Sequence, residues 1–513
     1  MLLVLPLAVV DLPPLLDYPN HLARMLILAE GGRDPALARY WQPAWDILPN
    51  IATDLIIPPL ARVMPLTLAG RLVLGGILLL LYAAILLHHR AAFGRAGWWS
   101  VAGALVVCNG LFLLGFLNFT LGLAIALLVG ALWIAERERR PALAIAGATL
   151  GVAAVFFCHV IDVLFAAVLI GSQEVLAVIA AQRGGGRWAR EALGRAAAVA
   201  VVVAPAVLLY GASPLAEASG KTNWYPWDRK ALELLLPVAG YRGALDAATG
   251  VAILGVLAFG LRRRGVHAPS LLACCIFLAF FAATPFAVHG AAFVDARFPV
   301  MLGLMVFAGF DPRLPPRAGR IAAALLGALL VLRSGVAAEA WAAHRADLVA
   351  IRQAIAPIEP GSRVLVATAR DLADTAYWRS GPRSRALARL GTMEGHFGAL
   401  VVLERRAFIP LLFTIRGQQP LAVRDEWRHL SFPRGIAVDY RLLGRRDRTA
   451  AELEEAPYLA SWPDEFDYLL VLLPDAAPGL PGLPEGLEKL TDTGTAALFR
   501  VGHFAGATST LSR

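Results

Sequence analysis

The amino-acid sequence predicts a polytopic α-helical membrane protein of about eleven transmembrane helices with a C-terminal soluble α/β domain. Composition is the first reason: 58% of the 513 residues are apolar and 17% are charged, and the mean hydropathy is +0.62. Those values lie outside the range of soluble globular chains. Distribution is the second. Apolar runs of the roughly 20 residues a helix needs to cross hydrocarbon recur as far as Gly335, whereas the last third reads as an ordinary soluble sequence. The expected domains are therefore 1–338 in the membrane and 339–513 outside it. The third reason is where the basic residues fall.

Taken in order, the first span ends near Val10. Ten residues cannot cross about 30 Å of hydrocarbon, no basic residue precedes them, and no small-residue cleavage pattern follows, so a truncated or short span is expected. A long loop runs from Asp11 to about Leu68. Its proline pairs (Pro13 with Pro14, Pro58 with Pro59) and Trp41 and Trp45 predict short helices at the membrane interface, where aromatic rings are favoured. Further spans are expected at 69–87, 98–117, 119–135, 142–158, 160–181, 196–212, 248–261, 268–288, 298–310 and 321–336. In the soluble region, 363–368, 466–472 and 496–501 read as strands between helical stretches.

Five basic clusters follow even-numbered spans: His88, His89, Arg90 and Arg95; Arg137, Arg139 and Arg140; Arg183 through Arg195; Arg262 to Arg264; and Arg313, Arg317 and Arg320. One orientation puts all five in the cytoplasm, as the positive-inside rule requires. The long first loop and the tail then face the other side, the periplasm if the host membrane is a bacterial inner membrane. The net charge of +9 is topogenic on this reading. It forms no aromatic-interleaved stripe, so nucleic acid is not an expected partner.

Cys108, Cys158, Cys274 and Cys275 all lie in apolar segments, where cysteine acts as a small hydrophobe, and none is left for a disulfide framework in the tail. There is no G-x-x-x-x-G-K-[ST] loop, H-E-x-x-H, C-x-x-C or G-x-S-x-G. Nucleotide hydrolysis and thiol redox chemistry lack support, no cofactor is expected, and a divalent metal has no supporting motif.

The external loops hold the polar residues. DLPPLLDYPNHLAR crowds Asp11, Asp17, His21 and Arg24 beside the first span; elsewhere lie Asn118, His159 with Asp162, and His289 with Asp295 and Arg297. Ionisable groups at membrane depth cost several kcal/mol unless paired or wetted, which marks them as candidates for a site. Each has a plainer reading. Asn118 can cap the next helix, His159 and Asp162 can pair locally at i, i+3, and Asp295 with Arg297 can be an interfacial pair, although an outer-face arginine runs against the charge bias. The loop 212–237 adds Lys221, a point charge suited to phosphate, and Trp224, Tyr225 and Trp227, which suit a lipid chain, a sugar face or an interfacial belt.

Asp17-Tyr18-Pro19-Asn20-His21 after a first span, GFLNFTLGLAIALL, the D-x-R-F string from Asp295 to Phe298 and an external C-terminal domain together resemble the GT-C superfamily of integral-membrane glycosyltransferases. The likeness extends over nearly the whole chain. It implies a sugar donor on polyprenyl phosphate or diphosphate, a glycan or lipid acceptor, inversion at the anomeric carbon, and a catalytic base in the first loop. Here Asp17 is followed by tyrosine rather than a second acid, a departure from the metal-binding acidic pair. Elementary chemistry agrees: transfer to a hydroxyl needs a base within about 3 Å of the acceptor oxygen and a cation for the departing phosphate. Asp17 is the expected base, with Asp11 the alternative or an orienting group for His21 or Arg24. Asp11, His21, Arg24, Asn118, His159, Asp162, Lys221, Asp295 and Arg297 are the expected substrate-binding residues. A transporter or flippase is the competing class, but it calls for charge near the bilayer midplane and repeat symmetry, neither of which is evident. A non-catalytic scaffold of the same fold is the third.

Overall fold

The structure, a computed structural model, describes residues 2–185, 188–217, 220–261, 265–288, 291–369, 386–387, 391–432, 437–445 and 447–502. Arg262 to Arg264 and His289 lie outside them. Seven helices are long and apolar enough to cross a membrane: Leu66–Phe93, Leu117–Glu136, Pro141–Cys158, Val160–Arg183, Trp188–Ala212, Gly243–Leu261 and Pro316–Ile355. Shorter apolar helical segments lie at Ala52–Ala61, Trp98–Leu113, Ala268–Ala283 and Arg297–Ala308. The first expected span is one helical turn, Leu5–Ala8.

Two expected spans differ in form. The run 98–117 is not a continuous helix but Trp98–Ala102, a 3₁₀ stretch Gly103–Val106 and Gly110–Leu113. Asn109 causes the break. Its amide donates back to the carbonyls of Val106 and Val107 (both 3.3 Å), and its Oδ1 accepts from the N–H groups of Leu111 and Phe112 (both 3.1 Å), so one side chain ends one segment and starts the next. The last span, expected to stop at 336, continues as one 40-residue helix to Ile355. Beyond Gly335 the sequence becomes amphipathic without a helix breaker: Ala340, Trp341, His344, Asp347, Leu348, Ile351 and Ile355 recur at three- and four-residue spacing and are buried.

The chain divides into two compact units, Met1–Val9 with Asp46–Leu55 and Arg71–Ala338, and Val10–Trp45 with Ile56–Gly70 and Glu339–Arg513. Most of the first loop thus belongs with the C-terminal region rather than with the spans. Sequence adjacency to a membrane helix suggested otherwise, but Tyr18–Glu30 buries 11 of its 13 residues, and Trp41–Pro43 pairs antiparallel with Leu421–Val423. Trp41 is not an interfacial ring. It is 2% exposed and stacks on Phe408, with centroids 5.4 Å apart.

In the unit of helical spans, loops expected on one side meet each other. Arg95 pairs with Asp311 at 3.0 Å, and Arg195 with Glu138 at 3.0 Å, joining basic loops in two pairs. The loops of opposite parity meet separately: Ile51 N–H donates to the Phe157 carbonyl at 2.9 Å, and Lys230 pairs with Asp295. Such alternation is what consecutive membrane crossings require.

The other unit holds a five-stranded sheet in the order Val438–Asp439, Val364–Thr368, Tyr468–Leu472, Ala496–Val501, Leu487–Asp492, the first three parallel and the last two antiparallel to their neighbours. VLVAT and YLLVL are buried at every position, which is why they read as unbroken apolar runs rather than as alternation.

Candidate functional site

Asp17 occupies the N-cap position of helix Tyr18–Glu30, yet its carboxylate makes no capping hydrogen bond. Its backbone is already helical (φ −82°, ψ −12°) rather than extended, and the following proline needs no N–H partner. The carboxylate is therefore free of the helix. Oδ1 instead meets Nε2 of His396 at 3.2 Å, in a site where the Asp17 side chain is 19% exposed and that of His396 8%. Oδ2 has no partner among the described residues.

Behind His396 stands Asn20, one helical turn from Asp17 and 1% exposed. Its Nδ2 lies 3.3 Å from His396 Nδ1 and donates to the Leu411 carbonyl at 2.8 Å, while its Oδ1 accepts from the Phe413 N–H at 2.8 Å. The Phe413 ring packs against His396 (5.0 Å) and His21 (5.5 Å). His21 is held well below the usual histidine range, first by burial and then by the charge of Arg24, so it is neutral. Arg24 is buried in the same helix.

Asp11 has a different environment. Arg352 donates to its Oδ2 at 2.7 Å and to Glu404 at 2.7 Å. Burial pushes the Asp11 carboxyl up, but the hydrogen bond and charge of Arg352 outweigh it and bring the group below its ordinary value. Its oxygen is committed to a structural ion pair.

In the unit of helical spans, Asn118 caps no helix of its own. Its amide donates to the Asn50 carbonyl at 2.6 Å and its Oδ1 accepts the Thr53 N–H at 2.8 Å, so it tethers 50–53, where the earlier helix Ala52–Ala61 begins. His159 caps helix Val160–Arg183 by accepting the Ile161 N–H at 3.1 Å, and it does not hydrogen-bond Asp162 through its side chain. Asp162 is fully buried with both oxygens unpartnered among the described residues. Gly122 makes room for it, since a Cβ there would lie 2.1 Å from its Oδ2.

Arg297 is buried, with Nη1 donating to the Phe293 carbonyl at 2.8 Å and its guanidinium over Phe116 (5.3 Å) and Phe119 (5.7 Å). Its Nε has no partner among the described residues. Phe293 itself has φ 58°, a strained conformation for a bulky residue that the Arg297 hydrogen bond helps to hold. Lys221 is exposed. The lysine that enters the interior is Lys230, which sequence reasoning missed: Nζ lies 3.2 Å from Asp295, and Trp224, Trp227 and Phe281 surround it at 5.2–5.6 Å. Its signal was the i, i+3 spacing from Trp227 in WDRK. Glu233 joins them, pushed up to about 8 by burial and by the neighbouring Asp295 charge. Tyr225 stacks on Phe286 at 3.8 Å. Among the described residues no three His, Cys, Asp or Glu side chains are grouped to hold a metal ion.

Fold and side chains together define a polytopic α-helical membrane protein with a sheet-containing unit, in which a partly exposed carboxylate is held by a histidine. No family model and no curated protein matches the chain. Among solved structures it is similar to the crystal structure of ArnT from Cupriavidus metallidurans in the apo state, at 12% identity and a TM-score of 0.46, over 98% of this chain and 96% of that one.

Proposed function

We propose that this chain is a membrane glycosyltransferase of the GT-C kind. It moves a sugar from a polyprenyl-phosphate or diphosphate donor to a hydroxyl of a glycan or lipid acceptor, at the periplasmic face of a bacterial inner membrane and with inversion. The observation that carries the reading is Asp17: a partly exposed carboxylate, withdrawn from capping its helix, with one oxygen held by His396 and the other unheld among the described residues. That is the state a general base needs before an acceptor arrives.

In the reaction Asp17 Oδ2 takes the proton of the acceptor hydroxyl as that oxygen attacks the anomeric carbon. The bond from the anomeric carbon to the phosphate oxygen breaks, its electron pair leaves with the lipid phosphate, and the proton on Asp17 later passes to water. No protein cofactor is proposed.

The test is incubation of membranes with radiolabelled polyprenyl-phosphate sugars and candidate glycan or lipid acceptors, with wild-type protein, with Asp17→Asn and without protein. Label moving to an acceptor only with wild type supports the proposal. Transfer that is equal in all three, or absent across a panel of donors and acceptors, overturns it.

A further inference from the structure

On the reading of Asp17 as the base, we infer that Asn20 and His396 are positioning residues that lock one histidine tautomer, so that Asp17 receives a hydrogen bond without a positive charge. The argument starts from groups whose roles are not interchangeable. A backbone N–H can only donate, and a backbone carbonyl can only accept. The Phe413 N–H at 2.8 Å therefore identifies the Asn20 oxygen, and the Leu411 carbonyl at 2.8 Å identifies its nitrogen. Flipping the amide would set oxygen against oxygen and N–H against N–H in a place where Asn20 is 1% exposed, leaving two buried groups unsatisfied.

With the amide fixed, its second N–H points at His396 Nδ1, 3.3 Å away. That nitrogen must present its lone pair. In a neutral imidazole the proton is then on Nε2, which lies 3.2 Å from Asp17 Oδ1. The chain of assignment runs from two backbone groups through Asn20 and His396 to one oxygen of the base. A second proton on the ring would have to sit on Nδ1 and face the amide N–H, so the imidazolium is opposed by geometry. Asp11 shows the other choice: Arg352 pairs with it as a cation, which holds a carboxylate but quenches its basicity. The other titratable neighbour of His396 named by the contacts is His21, neutral and packed on the same Phe413 ring.

The function of the lock is to orient Asp17 through Oδ1 and leave Oδ2 with its full charge for the acceptor proton. No proton moves along the chain, and His396 remains an N–H donor throughout.

The experiment reads the tautomer directly in the full-length protein, labelled with ¹⁵N-histidine in detergent and without substrate, with His396 assigned by the signal lost in His396→Gln. The expected wild-type spectrum at pH 7 has Nδ1 bare and Nε2 protonated. In Asn20→Asp an acceptor replaces the donor facing Nδ1, and the signal should change to imidazolium. Turnover should then drop by about 10- to 100-fold while the donor KM stays within about 2-fold. His396→Gln, whose amide can still donate, should restore part of the turnover lost in His396→Ala. A wild-type ring protonated at Nδ1, or an Asn20→Asp protein with unchanged tautomer and turnover, overturns the lock. Because the spectrum needs no substrate, a correct tautomer in a protein that transfers no sugar overturns the glycosyl-transfer reading alone, and sugar transfer with the wrong tautomer overturns the lock alone.

Discussion

Each of the two units sets an aspartate next to a lysine or histidine, and the pairs are built in opposite ways. In the unit of helical spans Asp295 and Lys230 are 0% and 2% exposed and meet at 3.2 Å, with aromatic rings around the ammonium group. Both charges are spent on each other. In the unit with the sheet, Asp17 keeps 19% of its side chain exposed and meets an imidazole whose proton position is set by an asparagine. Deep burial demands a counter-ion, because an isolated charge in low dielectric is prohibitive. Partial exposure does not, and so a carboxylate there can be held in place and still be reactive. On the proposed reading, this difference in exposure sets the base Asp17 apart from the structural acid Asp295.

The sharpest way to break this comparison is to remove one partner of the buried pair. Lys230→Ala leaves Asp295 uncompensated and should cost about 3–5 kcal/mol of stability, seen as a large fall in the unfolding midpoint in detergent. The double variant Lys230→Met with Asp295→Leu should recover most of it. A Lys230→Ala protein as stable as wild type would show that the pair is wetter than its burial indicates.

Next in size is Asp17→Asn, which keeps shape and polarity but cannot accept a proton. Turnover should fall about 100-fold or more with lipid-donor binding largely retained, and stability should change little. Normal turnover in this variant would move the base elsewhere.

Glu233 tests the charge balance around Asp295. Its carboxyl is pushed up to about 8 from an ordinary 4.5. Between those values the unfolded chain has released the proton and the native one retains it, so unfolding releases a proton and rising pH favours unfolding. Wild-type stability should decline from about pH 4.5 to 8, and Glu233→Gln should flatten that decline. A parallel decline in the variant would assign the pH dependence to other groups.

The smallest effect is expected at Asp11. With 45% of its side chain exposed, its ion pair is screened by water and contributes only about 0–1 kcal/mol. Because the folded value is lowered, that contribution is present above the ordinary 3.8 and lost as pH falls through the lowered value. Asp11→Asn should leave turnover within about 2-fold of wild type. If Asp11→Asn damages catalysis more than Asp17→Asn, the roles assigned to the two carboxylates are reversed.

Much of the architecture was legible because hydropathy is a local quantity. Each long span is recognisable from the transfer free energy of its own residues. The strands at 364–368, 468–472 and 496–501 announce themselves as short apolar runs bounded by polar residues. Asp17 drew attention for a similar reason, as one of two acids in the short polar stretch that follows the apolar leader. The sequence misled where one side chain reorganises backbone, as Asn109 does within 98–117, and where an amphipathic pattern carries a helix past the end of its apolar run, as beyond Gly335.

By itself, then, the sequence determined the membrane class, the alternation of basic loops and the sheet strands, whereas the place of Asp17 at the start of a helix came from the fold. Tertiary structure alone decided which groups that carboxylate meets. His396 lies 376 residues from Asn20 in the chain, Arg352 lies 341 from Asp11, and Lys230 rather than Lys221 finds Asp295. The physical reason is that a hydrogen bond or ion pair between distant residues leaves no periodicity or composition around either partner. Its donor and acceptor are ordinary polar residues until folding removes the water that would otherwise satisfy them.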